Sequence, residues 1–179
     1  MIFNKHSNLE GLHALFSPSS PAWLRYNDDK LKDFRANVEA KKYGTRLHAW
    51  AKETIDLGIK QPRSKKTLSM YVNDAIGFHM NTEQVLYYSD DIFGTADAIS
   101  FRDNKLRIHD LKTGKNKASM EQLIVYAALF CLEYNIDPAN IDIELRIYQS
   151  DQIVYYEPEA GEIKMIMNHI VHVDEVMSL

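Results

Sequence analysis

The sequence predicts an α/β protein, with a central mixed β-sheet flanked by helices and a helical segment ahead of it. Three observations carry that expectation. The first third of the chain has apolar residues at helical spacing, residues 83 to 112 switch to the two-residue alternation of strands, and an almost continuously apolar helix, two further strands and a last helix follow. With 179 residues, 45% of them hydrophobic and 26% charged, the chain fits one globular domain that buries a substantial core. It shows no internal repeat, low-complexity tract or long linker. The expected organisation is therefore one domain over 1–179: a mainly helical segment over 1–66, an α-βββ-α-ββ core over 67–157 and a C-terminal helix over 158–179.

Taken in order, Ser20 ahead of Pro21 reads as an N-cap with proline at the first helical position. A helix from about Asp28 to Lys42 is expected to stop at Gly44, and Thr45 to cap a third helix that Gly58 closes. Residues 59–66, "IKQPRSKK", form a basic loop with no apolar period. In the next segment Leu68, Tyr71, Val72, Ala75, Ile76, His79 and Met80 fall at helical spacing, so one face is expected to be buried. Strands follow at about 83–89, 93–101 and 105–112, the last two joined by a turn at "RDNK". Ser119 and Gln122 have capping-box spacing at the start of the apolar helix. "IDIELRIYQ" and "QIVYYEP" read as strands, and "EIKMIMNHIVHVDEVM" as the final helix.

A net charge of −4 argues against a protein that coats nucleic acid indiscriminately, while leaving room for a local basic groove. The single cysteine, Cys131, lies in an apolar helical run, which removes an intrachain disulfide and a four-cysteine metal or iron–sulfur site. "MIFNKHSNLEGLHALF" lacks the long apolar segment of a signal peptide, and no run approaches the roughly 18 apolar residues a membrane span needs. The expectation is a soluble protein of the reducing cytoplasm, without membrane contact.

The chemistry concentrates in "FGTADAISFRDNKLRIHDLKTGK", residues 93–115. Alternation puts Phe93, Thr95, Asp97, Ile99 and Phe101 on one face of the first strand, and Leu106, Ile108, Asp110 and Lys112 on one face of the second. Two core-facing carboxylates on neighbouring strands repel, and desolvation adds to the cost, so a divalent cation is the simplest resolution. An oxygen site of this kind suits magnesium or manganese. Lys112, two residues beyond Asp110, is placed to hold a water or a phosphate oxygen. Carboxylates, metal and lysine together are what phosphodiester hydrolysis requires.

"GTRLHAW", "FGTADAI", "DLKTG" and "QLIVY" occur in the order found in the RecB-type branch of the PD-(D/E)xK nuclease superfamily. The chain resembles the single-domain phage exonucleases related to the CRISPR-associated RecB-like exonucleases, over roughly residues 17 to 150. The resemblance implies a restriction-endonuclease-like core. It also implies that His48, Asp97, Asp110 and the backbone carbonyl of Leu111 ligate Mg2+ or Mn2+, that Lys112 positions the water, and that Gln122 and Tyr126 contact DNA or brace the site. The cluster cysteines of the CRISPR-associated relatives and all helicase motifs are absent, so neither an iron–sulfur cluster nor unwinding carries over.

The implied activity is a metal-dependent DNA exonuclease for phage-type replication or recombination. A structure-selective endonuclease cutting junctions or flaps, and a non-catalytic DNA-binding module, are the alternatives. The implied partners are DNA and a single-strand annealing protein, with a homo-oligomer left open. The compartment is the cytoplasm, the host's for a phage-encoded enzyme. Lys60, Arg63, Lys65 and Lys66, with Lys115 and Lys117, are the cations expected to meet phosphates. Structural readings stand beside these: His48 as a hydrogen-bonded core histidine, Asp110 as an ion-pair partner of Lys112, Gln122 as the capping-box partner of Ser119. Glu83 is a weaker candidate for the same centre. His109 alternates away from it, His169 and His172 form no convincing metal motif, and the tyrosine pairs 87–88 and 155–156 are expected to pack.

Overall fold

A computed structural model describes residues 5, 7–9, 12 and 14–178. It divides into two compact units, Met1–Lys41 and Lys42–Leu179. In the first, a short 3₁₀ turn at Pro21–Arg25 precedes helix α1, which spans Asp28–Asp56 and continues into the second unit. Ser20 makes no side-chain cap to that turn. Asn27 does cap α1, its Oδ1 accepting the Lys30 N–H at 2.9 Å. Phe16, Trp23, Tyr26 and Phe34 form a small aromatic cluster with ring centroids 5.2 to 6.1 Å apart.

The second unit holds α2 (Thr67–Gly77), β1 (Asn81–Ser89), β2 (Ile92–Arg102), β3 (Lys105–Leu111), α3 (Glu121–Glu133), β4 (Asp142–Gln149), β5 (Gln152–Tyr156) and α4 (Ala160–Met177). The sheet order is β1-β2-β3-β4-β5. Only the β3/β4 pair is parallel, with α3 in the crossover between them, so the sheet is mixed. Two-residue hairpin turns, Asp103-Asn104 and Ser150-Asp151, have positive φ at both residues, the geometry that matches strand twist. Leu86, Ile99, Leu106, Ile108 and Leu145 pack with Leu123, Ala127 and Ala128 of α3 in one core. A second core joins Ala98, Leu111 and Tyr148 to Ala51 and Ile55 of α1 and to Tyr71, Val72 and Ala75 of α2. The chain is thus an α/β protein whose five-stranded mixed sheet is flanked by helices. No helix among the described residues is long and apolar enough to cross a membrane.

Four expectations change. Gly44 does not end a helix and Thr45 does not start one, because α1 is continuous through both. Glycine inside a helix costs about 1 kcal/mol relative to alanine, and the reason for tolerating it here is tertiary. A Cβ on Gly44 would lie 2.7 Å from Oγ1 of Thr113. His79 lies past the end of α2, exposed, with φ 52°, and not on its buried face. It takes the left-handed position of a C-terminal cap, with Met80 N–H donating to the Ala75 carbonyl and His79 N–H to that of Ile76. The Ser119–Gln122 capping box does not form: α3 begins at Glu121, Met120 precedes it, and Ser119 Oγ accepts only the Glu121 N–H. Phe93, Thr95 and Phe101 are exposed although Ile99 beside them is buried, so the alternating face of β2 leaves the core at both ends. Gly58 does close α1 as expected, in the left-handed conformation with φ 66°.

Candidate metal and phosphate site

Thr113, just past β3, rests on Gly44, and one turn later in α1 His48 meets the sheet. His48 Nδ1 lies 3.4 Å from Asp97 Oδ2. The same carboxylate oxygen accepts the Leu111 N–H at 3.0 Å, which ties β2 to the end of β3. Hydrogen bonding to Asp97 raises the His48 pKa above 6.5; burial works against this, and the charges of Asp97 and Asp110 support it.

Asp110 is 3% exposed. Burial pushes its carboxyl above the ordinary 3.8, and the charge of Asp97 adds to the push, while Lys112 and His48 oppose it. Lys112 Nζ donates to Asp110 Oδ1 at 3.0 Å and to Gln122 Oε1 at 2.9 Å. It also lies 3.0 Å from Asp110 Oδ2, yet that buried oxygen has no directed hydrogen bond. Gln122 Nε2 donates to the Tyr126 hydroxyl at 3.0 Å. A continuous chain therefore runs from Asp110 through Lys112 and Gln122 to Tyr126, and Gln122 serves the lysine instead of capping the helix.

The glycine of "GTAD" has its role in the same chain. A Cβ on Gly94 would fall 2.8 Å from Cε1 of Tyr126, against the edge of the ring. Gly94→Ala should displace Tyr126 and loosen Gln122 and Lys112. The expected cost is about 1–3 kcal/mol of stability from overpacking and up to about 100-fold in any activity that depends on Lys112, the scale of a 1 Å misplacement. Denaturant midpoints and turnover of the variant test this; wild-type values for both would show that the ring moves without consequence.

The donor set expected from the sequence is two carboxylates, one imidazole and the Leu111 carbonyl. Among the described residues no three His, Cys, Asp or Glu side chains already converge as a metal cage. The chemistry nevertheless fits a hard divalent ion: two carboxylates close enough to raise the pKa of Asp110, one of them with a buried oxygen lacking a directed bond.

Several neighbours were not legible as site residues. Tyr71 is 3% exposed, and burial together with the charges of Asp97, Asp110, Tyr148 and Glu83 holds its phenol well above 10. Glu83 is itself exposed, with φ 47°. Gln149 is buried and clips the loop after β3, donating to the carbonyls of Gly114 at 2.7 Å and Asn116 at 2.8 Å and accepting the Ala118 N–H at 3.1 Å. Asp151, in the β4–β5 turn, caps α2 from outside by accepting the Thr67 N–H at 2.9 Å.

Lys60, Arg63, Lys65, Lys115 and Lys117 are exposed and make no ion pair among the described residues. Lys66 differs, since its Nζ lies 2.8 Å from Asp151 and its charge is met locally. His169 and His172 are exposed on α4, away from any metal-binding group among the described residues. The tyrosine pairs are less buried than expected of packing residues. Tyr87, Tyr155 and Tyr156 are exposed, and their hydroxyls donate to Asp90, to Glu144 and Glu157, and to Glu162.

The opposite face of β3 and β4 carries a second polar cluster. His109 is fully buried; its Nδ1 lies 3.2 Å from the Tyr148 hydroxyl, which donates to Asp74 at 2.6 Å. Glu144, 4% exposed at its side chain, lies 3.1 Å from Lys105 Nζ, 3.5 Å from Arg107 Nε and 2.8 Å from Arg146 Nη2. Burial pushes the Glu144 carboxyl up, but its ion pairs with Lys105, Arg146 and Arg107 together hold it below 4.5. The sequence placed His109 on the face away from Asp110 but did not show that α2 covers β3 and β4. No protein-family model matches the chain, and no curated protein is similar enough to match it.

Proposed function

We propose that the chain is a metal-dependent deoxyribonuclease with a restriction-endonuclease-like core, a DNA exonuclease of the kind used in phage replication or recombination. The observation that carries this reading is the chain Asp110–Lys112–Gln122–Tyr126 beside the His48–Asp97 pair. Two carboxylates on the paired strands β2 and β3 share a centre with the Lys112 ammonium, which contacts both oxygens of Asp110 and bonds Gln122. In this reading His48, Asp97, Asp110 and the Leu111 carbonyl hold Mg2+ or Mn2+. A divalent ion there supplies Lewis acidity to a phosphodiester and lowers the pKa of water.

The protein's own groups do the rest. Lys112 holds a phosphate oxygen or the attacking water, and its positive charge meets the charge that develops on the phosphate. Gln122 fixes the lysine rotamer, and Tyr126 fixes Gln122. His48 orients the Asp97 carboxylate, whose other tie is the Leu111 N–H. The exposed Lys60, Arg63, Lys65, Lys115 and Lys117 supply phosphate contacts without base readout.

The test is cleavage of linear against covalently closed circular DNA by the pure protein. Linear DNA should be degraded with magnesium or manganese, closed circles should survive, chelator should abolish cleavage, and calcium should give only weak support because it organises an attacking water poorly. Nicked circles would make the enzyme an endonuclease. Cleavage that persists in chelator, or none with any metal, would remove the proposed mechanism.

A further inference from the structure

The roles above leave one cavity beside Lys112 unused. It is a cleft of about 220 Å3 whose lining includes Tyr43 and Leu47 of α1, Leu68 in the first turn of α2, and Lys112, Thr113 and Lys115. The two helices are held against the β3 end by the contacts already described: Gly44 on Thr113, and Asp151 on the start of α2. The cleft is thus a consequence of rigid elements, and Gln149 secures the loop that carries Lys115.

Its chemistry is specific in three ways. Tyr43 is a large aromatic that stays 57% exposed, and among the described residues no other ring stacks on it. Two lysines, Lys112 and Lys115, are among the residues that line the cleft, and no Asp or Glu is, so an anion is favoured. No Asn, Gln, His or Arg lines it either; its uncharged polar side chains are Thr67, Thr113 and Ser150, whose hydroxyls can donate to or accept from any base and so discriminate little. An aromatic and aliphatic surface with lysines beside it, and only hydroxyls as its uncharged polar side chains, matches one nucleotide held by stacking and by its phosphate. The volume suits a single base and not a base pair. A base inside a duplex cannot enter such a recess without leaving its stack.

We propose that this cleft receives one unpaired nucleotide of the DNA strand, its base against Tyr43 and Leu68 and its phosphate at Lys112 and Lys115. The inference rests on the nuclease reading and deepens it: the substrate is a frayed end, or a single strand, whose base identity is unimportant. Stacking in the cleft sets how far the strand advances past Lys112.

The experiment compares wild type, Tyr43→Ala and Tyr43→Phe. Because Tyr43 is largely exposed, its removal leaves both cores intact. Binding is measured in chelator to a short single strand and to a duplex whose two ends are closed by hairpins, and cleavage of linear DNA is measured with magnesium. Tyr43→Ala should weaken binding of the single strand about tenfold, the low to middle range for loss of one base–aromatic stack. It should leave the closed duplex unchanged, and Tyr43→Phe should restore wild-type affinity. Equal affinity of wild type and Tyr43→Ala for the single strand, or an equal loss on both DNAs, would overturn the cleft assignment while wild-type cleavage of linear DNA kept the nuclease reading. Failure of the wild type both to bind and to cleave DNA would overturn both.

Discussion

Asp110→Asn should abolish magnesium-dependent cleavage while leaving the metal-free protein as stable as the wild type, or more so. The carboxylate is buried, and both its desolvation and the neighbouring Asp97 charge disfavour its ionised form. Asparagine keeps the shape and removes that repulsion. Lys112 is not stranded by the change, because its side chain is 31% exposed and keeps its bond to Gln122 at 2.9 Å. If Asp110 served only as the partner of a buried lysine, the same change would instead cost about 3–5 kcal/mol. Removing one preorganised charge from such a site should lower turnover by about three orders of magnitude. Urea denaturation in chelator, repeated with magnesium, separates the readings: the wild type should gain stability from the ion by mass action and the variant should not. A variant that is strongly destabilised in chelator yet still cleaves would overturn the site.

The residues of this centre were visible as letters, and most of the elements that carry them as periods. Asp97, Asp110 and Lys112 could be named from alternation, which fixes which side chains of a strand share a face, while His48, Gln122 and Tyr126 were named only through the resemblance of their motifs. What the glycines do was not visible. Gly44 meets Thr113, a residue 69 positions later, and Gly94 meets Tyr126 on a helix that begins beyond the next strand. A local reading takes Gly44 as a helix stop, since backbone entropy is all that a short window contains. Long-range contact reverses that reading.

Asp151 capping α2 across 84 residues of sequence, and Gln149 clipping the loop after β3, are hidden for the same reason. The charges at Glu144, buried, and Arg146, partly buried, were missed for a different reason. Their alternation was legible, but a polar face reads as solvated until a helix is known to cover it. His79 and Asn135 occupy left-handed cap positions that glycine usually fills; the glycine at the end of α2, Gly77, is its last helical residue and not the cap, and α3 ends without one.

That covered polar face has a consequence in acid that does not depend on the nuclease reading. His109 lies between Arg107 on its own strand, Glu144, Arg146 and Tyr148 on β4, and Phe78 just past α2. Burial, reinforced by the charges of Arg146 and Arg107, lowers its pKa from 6.5 to about 3. Glu144 Oε1, 4.0 Å from Nε2, offers little relief because three cations already share that carboxylate. A lowered histidine pKa means that below pH 6.5 the unfolded chain takes up a proton that the folded chain refuses, so stability falls as pH drops from 6.5 towards 3 and is unaffected above. At about 1.4 kcal/mol per pH unit, the loss between pH 7 and pH 4.5 should be roughly 2–3 kcal/mol.

Other groups act with different signs or in different windows. His48, with its raised pKa, stabilises below 6.5 and loses that contribution as pH rises, so it is flat in the window where His109 acts. Asp110, also raised, gains stability as pH falls, and Glu144, lowered, begins to lose it only below 4.5. His109→Gln, which keeps a neutral polar group beside Tyr148, should therefore flatten the difference between pH 7 and pH 4.5 by the full 2–3 kcal/mol even though it lowers stability at pH 7. Urea midpoints of wild type and variant at the two pH values measure it. A variant with the same pH dependence as the wild type would mean that His109 takes up its proton in the folded state, and that Glu144 can serve a fourth cation after all.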